Sequence, residues 1–537
     1  MERMVGRFVA HCNAMVGGFG VRFVVCLSVA LTVSFSASAQ ATNVYVTPGG
    51  TATGNCPTGT STAPNLTPSG FNNSSNWGTG ASQIGPGTTV LLCGTLTGTA
   101  GQSGLLHFQS SGTSANPITL KFDANANITA PYWGYSSSAA IGVGQNYIVI
   151  DGGTNGIVQN TANGSSRTYN VASTAVYISG SNVTVQNLTI SNICVHNLFS
   201  DTGGCTTSGT GGYAIYAVGG DNITIHNNII HDAYAGAIYG TGGTNSNITF
   251  SGNTIYNCNW GIAVFTNSGQ TLNGVTVTGN NIHDGVNWDD SVDAFHHNGI
   301  FVFQGNGGTI NNVQLSDNYI HGDWGLDQTG YIFFDPNNGG TINHTRIFNN
   351  LLINESTVHG PGNGYITGLG NTDCAAYNNL IFGNGLSIGY KSDHPCTFEN
   401  NIVSSVATGI YTNSGTTLIA SDYNNFYNLT GGSSSLFYAG TNYSSVATWT
   451  KGTGFDSHSV TGDPKLNAGS SPPYLLQSGS AAAGAGTNLS SLGINALDRD
   501  RLGNLRPTSG AWDLGPYLSG ISSTVIVPPT GLVAIVQ

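Results

Sequence analysis

Four stretches of the chain share one pattern: Ile225-His-Asn-Asn228-Ile-Ile230, Phe250-Ser-Gly-Asn253-Thr-Ile255, Val277-Thr-Gly-Asn280-Asn-Ile282 and Leu315-Ser-Asp-Asn318-Tyr-Ile320. Each is a short alternating run that reaches Asn, then a variable residue, then an apolar one. The pattern continues through Ile347 to Leu352, Ala376 to Ile381 and Phe398 to Val403. A second apolar run follows each, centred on Ile215, Ile238, Ile262, Ile300, Ile332, Ile366, Ile388 and Ile410, at spacings of 23, 24, 38, 32, 34, 22 and 22. A period near 22 built from short strands, with no helical periodicity between them, predicts a β-solenoid. The recurring Asn is scaffold in this reading. At a corner its amide bonds to backbone and to the Asn of the rungs above and below, in ladders spaced about 4.8 Å.

The composition agrees with an all-β chain. Of 537 residues, 78 are Gly and only 7% are charged, with 12 Lys+Arg against 24 Asp+Glu; an ordinary globular protein carries roughly 25% charged residues. Helical enzymes need charged exposed faces, which this chain cannot supply. Its 39% hydrophobic residues speak equally against charge-driven disorder. A formal charge of −12 excludes nucleic acid as a partner, since phosphates call for clustered Lys and Arg.

Residues 1–39 read as a secretory signal: Arg22 precedes the apolar run Phe23 to Val33, and Ala37-Ser38-Ala39 offers a cleavage site before Gln40. The run is too short to span a membrane, and no later stretch looks transmembrane. A monomer is expected, secreted or at the cell surface, in the extracellular or periplasmic space. Export permits disulfides, and the cysteines lack CxxC zinc spacing. Cys374 and Cys396 each lie five residues before a motif Asn, hence in one slot on adjacent rungs, within bonding distance. Cys194 with Cys205 would close a local loop, Cys56 with Cys93 would brace the N-terminal cap, and Cys258 is left free and buried.

The opening Asn43-Val-Tyr-Val-Thr-Pro-Gly-Gly50, then Pro86-Gly-Thr-Thr-Val-Leu-Leu92, Asn116-Pro-Ile-Thr-Leu-Lys121 and Ile148-Val-Ile-Asp-Gly152 resemble the secreted right-handed parallel β-helix proteins of the pectate-lyase-like superfamily. Asp500-Arg-Leu-Gly503, Arg506-Pro507 and Asp513-Leu-Gly515 are similar to the choice-of-anchor Q motif that closes many such helices, with Arg506 and Asp513 expected as an ion pair. The resemblance implies a signal peptide at 1–39, an N-terminal cap with irregular first rungs at 40–140, and a regular parallel β-helix at 141–430. A C-terminal cap at 431–520 and a Pro-containing tail at 521–537 complete the expected organisation. The superfamily hosts lyases, hydrolases, epimerases and non-catalytic surface proteins, so the fold does not name the reaction.

From each motif Asn to the next Ile the counts are 10, 9, 20, 14, 16, 9 and 9. Three consecutive rungs therefore lengthen the same loop, and 281–299, 319–331 and 351–365 should stack into a wall. The opposite connection also lengthens, to 18 residues at 262–280, 300–318 and 332–350, which predicts a second wall and a groove between them. His231, Tyr256, His283 and His321 share one repeat slot and read as a structural stack. The added acids have no such explanation. Asp293 and Asp323, on adjacent rungs, are the expected acid and base, with His297 to orient substrate or move a proton. Asp335 and Lys391, in equivalent slots, are secondary catalytic candidates. Asp289, Asp290 and Asp327 offer hard oxygen ligands for Ca²⁺; no organic cofactor is expected. Residues beside the buried Ile, namely Tyr177, Tyr216, Tyr239, Phe301, Phe333 and Tyr411, should face outward and either stack on sugar rings or stack on one another. Phe301 and Phe333, with Trp288, Trp324 and His296, are the expected substrate-binding residues.

These readings predict a secreted polysaccharide-active β-helix enzyme. A glycosidase would use two carboxyl groups. A Ca²⁺-dependent lyase would use Lys391, since the superfamily's lyases take Lys or Arg as base. The other class is a non-catalytic glycan-binding or adhesive surface protein.

Overall fold

The computed structural model describes residues 43–520 apart from 204, 206–210, 293, 305–306, 336–338, 357–363, 369–371, 391–395 and 413–417. The expected leader 1–39 and tail 521–537 lie outside the described residues, as do Asp293 and Lys391. The chain is all-β: a right-handed parallel β-helix whose coils each contribute three strands. In the middle of the chain, sheet A contains Thr271–Thr278, Thr309–Ser316 and Thr341–Phe348. Sheet B contains Asn281–His283, Tyr319–His321 and Leu351–Ile353. Sheet C contains His297–Gln304, Gln328–Asp335 and Ile366–Thr367. All these pair in parallel with the next rung. The irregular first rungs are already parallel, since Asn43–Val46 pairs with Thr89–Leu92 and that strand with Ile118–Phe122.

The corner between sheets A and B shows why the motif Asn recurs. Asn228, Asn253, Asn280, Asn318, Asn350, Asn379, Asn401 and Asn424 are buried, and each Nδ2 donates to the next Oδ1 at 2.9–3.2 Å. The residue before each turns the chain with positive φ, from 51° at Asn378 to 65° at Gly279, which explains the Asn, Gly and Asp found there at every rung but the last, where Tyr423 makes the turn at 53°. Inside, branched residues form rows that water cannot reach, each fully buried side chain worth roughly 1.5–3 kcal/mol.

One row departs from expectation. Ile215 pairs with Ala237 and Ala237 with Ile262, so Ile238 faces outward and Tyr239 inward. The regular count from motif Asn to inward residue is nine, and nine from Asn228 is Ala237; the count of ten to Ile238 is one residue too many, and a single-residue slip exchanges the faces. Tyr239 is consequently enclosed, its hydroxyl donating to Gly220 O at 2.8 Å.

Both ends are plugged. Phe71, Trp77 and Phe108 pack edge-to-face near the N-terminus. At the other end a short helix, Val446–Thr453, with a Ser445/Thr448 capping box, inserts Trp449 into the core. The last Asn of the ladder donates to Asp456, which also accepts from the indole of Trp449. The chain then folds back along the outside. Leu475, Leu514 and Tyr517 cover Leu351, Leu380 and Ile402, while Leu497 and Trp512 cover Phe348 and Tyr377. The segment that carries Arg506 and Asp513 is thus a lateral strap. Arg506 and Asp513 do not form the expected pair: Arg506 donates to Asn349 Oδ1 at 2.9 Å and lies over Trp512, whereas Asp513 accepts from Gly484 N and Ser519 N.

Three disulfides join Cys56–Cys93, Cys194–Cys205 and Cys374–Cys396, the last with Cα atoms 4.7 Å apart; Cys258 is free and buried. Among the described residues no helix is long and apolar enough to cross a membrane.

Candidate functional site

The loops between sheets B and C form a wall, but it is packed rather than open. The loop after His283 makes one 3-10 turn, Val286–Trp288, and buries Trp288, whose indole donates to Asn257 O at 2.9 Å. Trp324 is buried too, donating to His321 O at 2.8 Å. Both were expected to bind substrate; instead Trp324 joins the main core of the helix, and Trp288 anchors a small separate core that belongs to the added loops. That core includes the Cys194–Cys205 disulfide, Phe295 and Tyr234. Among the described residues the opposite connection raises no second wall. Its added residues lengthen sheet A, where Leu272, Ile310 and Ile342 form one more buried row.

The acids of the wall lace its loops together. Asp289 accepts from Leu326 N and Asp327 N, and Asp327 accepts from Asp290 N at 3.0 Å. Asp290 accepts from Val292 N and Ala294 N through its two oxygens, which organises its own loop. Asp290, expected as a metal ligand, is outside the cluster formed by its neighbours Asp289, His297 and Asp327. Asp323 closes a tight turn by accepting from Gly325 N. His297 is fully buried, so it cannot touch a substrate; its Nδ1 lies 2.8 Å from Trp324 O and 3.7 Å from Asp289 Oδ1. Its Nε2 is buried without a hydrogen-bond partner.

Asp289, His297 and Asp327 could hold a metal ion, with ligand atoms within 4.8 Å of one another. Calcium fits this set poorly, since it takes 6–8 oxygen ligands. Here two carboxylates already accept backbone N–H groups and the third group is an imidazole.

Beside the wall, the outer face of sheet C carries a continuous aromatic track. Tyr177 meets Tyr216, and Tyr216 meets Tyr213, at centroid distances of 5.8 and 5.1 Å. Tyr213 leads to Tyr234, Tyr234 to Trp260 at 5.2 Å, and Trp260 to Phe301 at 5.2 Å. Phe301 stacks on Phe333 at 4.9 Å and on Phe303 at 4.3 Å. The exposed His296 lies against Trp260, Phe301 and Phe333, its carbonyl accepting from the Trp260 indole. Asp335, paired with Phe303 and two residues beyond Phe333, leaves the same face of the strand. Burial pushes the hydroxyls of Tyr213, Tyr216 and Tyr234 up, so they stay protonated and remain donors.

Sequence reasoning placed Phe301, Phe333 and His296 on this face but missed Tyr213, Tyr234, Trp260 and Phe303. Alternation could have found Phe303, three residues after the inward Ile300, but not Trp260, which lies two before the inward Ile262 and by alternation alone would share its face. The His231–Tyr256–His283–His321 slot is a stack at 4.7–5.1 Å, as expected. Within it burial holds the His321 imidazole down at about 4.

Among curated proteins none matches this chain. Solved structures it resembles include pectate lyase Pel9A, 16% identical over 89% of this chain and 96% of that one, with a TM-score of 0.47. They also include DFA-IIIase from Arthrobacter chlorophenolicus A6, 8% identical over 73% and 85%, with a TM-score of 0.33. A third is a PL6 family polysaccharide lyase from Pseudopedobacter saltans, 14% identical over 63% and 83%, with a TM-score of 0.27. Residues 135–270 and 193–350, which hold the track and the first two loops of the wall, match the family described as Right handed beta helix region.

Proposed function

We propose that this chain is a secreted, polysaccharide-active protein that lays a glycan along the outer face of sheet C and cleaves it beside the wall. The observation that carries the reading is the aromatic track. Its rings come from neighbouring slots, Tyr213, Tyr234 and Trp260 bridging the rungs where Ile238 and Ala263 interrupt the row of Tyr216 and Phe301, and aromatic faces with Tyr hydroxyls and a Trp suit ligands that are apolar on one side and polar at the rim. His296 from the wall and Asp335 from the strand are the proton-transferring groups proposed at the track, with Asp323 and Asp293 of the added loops as further candidates. His297 positions the wall instead of touching substrate. Three disulfides accord with export.

A second reading, glycan binding without cleavage, is favoured by one observation: Asp289, Asp290 and Asp327 are engaged by backbone N–H groups. Incubation of the purified chain with neutral glycans and with uronates separates the readings. New reducing ends without ultraviolet absorbance mean hydrolysis, and absorbance from an unsaturated product means elimination. Binding without either product means the second reading, and neither binding nor product on any glycan would sink both.

A further inference from the structure

A second concavity lies on sheet A, away from the track. It measures about 450 Å³ and is lined by Gly274, Thr276, Asn312, Gln314, His344 and Arg346. Two features of the local sequence create it. Each strand here is interrupted by a residue of positive φ, Asn247 at 62°, Gly274 at 85°, Asn312 at 57° and His344 at 52°. Gly274 leaves a gap in that row where its neighbours carry side chains. In the next outward row Thr184, Thr224, Thr249 and Thr276 are followed by Gln314 and Arg346. Short side chains give way to long ones at one step, and the step is the side of the hollow.

Arg346 is held in place from the rung beyond. Its Nη1 donates to Thr345 O and Asp373 O at 3.1 and 2.9 Å, and its Nη2 donates to Asp373 Oδ2 at 2.9 Å. His344 Nδ1 lies 2.7 Å from the same carboxylate oxygen. The Arg346 bond is the main cause that keeps the Asp373 carboxyl below its ordinary range. A guanidinium has five N–H donors, so two remain beyond these three bonds among the described residues. The hollow has no aromatic lining, unlike the track, so recognition there rests on charge and hydrogen bonds. The chain has 12 Lys and Arg in all, and here one Arg and one His share a concavity.

We propose that this hollow binds an acidic sugar residue, its carboxylate on the Arg346 fork and its hydroxyls on Gln314, Asn312 and Thr276. It is a second glycan site, independent of the track and of whether the track cleaves. The test is calorimetric titration of the full chain with a β-1,4-linked glucuronate trisaccharide, against cellotriose, which lacks only the carboxylates. Wild type, Arg346→Met, Gln314→Ala and Trp260→Ala are compared, with each hollow substitution also made on Trp260→Ala. The acidic trisaccharide should bind saturably and more tightly than cellotriose, and higher salt should weaken it. Either hollow substitution should weaken it by about 5-fold or more, the scale of one lost hydrogen bond, and by the same factor whether Trp260 of the track is present or replaced by Ala. Gln314→Ala leaves the Arg346–Asp373 contact intact, so it reports even if Arg346→Met misfolds. Absence of saturable binding, equal affinity for cellotriose, insensitivity to Gln314→Ala, or loss only in Trp260→Ala would overturn the proposal.

Discussion

The imidazole of His196 lies 4.7 Å from the indole of Trp288, nearly parallel at 15°, and joins two loops distant in sequence. Its Nδ1 is 2.6 Å from Asn287 O and its Nε2 2.7 Å from Asp201 O. Both partners are carbonyl oxygens, which only accept, so both bonds form together only when the ring carries both protons. This ring couples the Cys194–Cys205 loop to the wall. His196→Ala removes the stack and the ring's hydrogen bonding between the two loops, at a cost of about 2–4 kcal/mol. The expected outcome is a lower melting temperature with faster proteolysis of both loops; an unchanged melting curve would contradict this role.

The Asn ladder is the most regular feature of the core. Asn280 accepts from Asn253 N and Nδ2 and donates to Asn318 Oδ1 and Phe250 O. Asn280→Ala therefore strands several buried groups, each worth about 1–3 kcal/mol. Denaturant unfolding should show a loss of several kcal/mol, whereas a loss below about 1 kcal/mol would mean that water or backbone shifts replace the ladder.

The strap carries a pH dependence. Burial pushes the Asp317 carboxyl up to about 6, with Arg501 and Arg506 pulling the other way. Its folded value lies above the unfolded one of 3.8. The folded state thus holds the proton more tightly, and this group's contribution to stability falls as pH rises from about 4 to 6 and is level above. Asp317→Asn should stabilise the chain at pH 7, by up to about 3 kcal/mol, with the gain vanishing near pH 4. A destabilised variant at pH 7 would show that the carboxylate is a needed partner of the strap.

Much of the scaffold was legible because it repeats. The Asn at one offset, and Cys374 and Cys396 at a common distance before it, define the register and the 4.7 Å approach of the two cysteines. The slip at Ala237 was legible as well, in the count of nine, but Ile238 is the more apolar residue and drew the register to itself. Loop content was not legible. Nothing repeats inside 284–296, so whether Trp288 faces solvent depends on its meeting His196, a contact across distant loops. Length alone also could not tell an added strand, Thr271 to Asn273, from a raised wall. For the same reason the acids looked catalytic: their partners are backbone N–H groups of the neighbouring loop, which no residue pattern announces.

The central claim is that the aromatic face of sheet C holds the glycan. It is tested most directly by affinity electrophoresis of the full chain through gels containing soluble polysaccharides, for wild type and the Trp260→Ala/Phe333→Ala double variant. Losing two stacking rings should cost about 1–3 kcal/mol of binding, so at least one polysaccharide should retard the wild type and release the variant by ~10-fold or more in affinity, with both proteins folded at the temperature of the gel. Equal retardation of both proteins by every retarding polysaccharide would contradict the claim and move the glycan to another face.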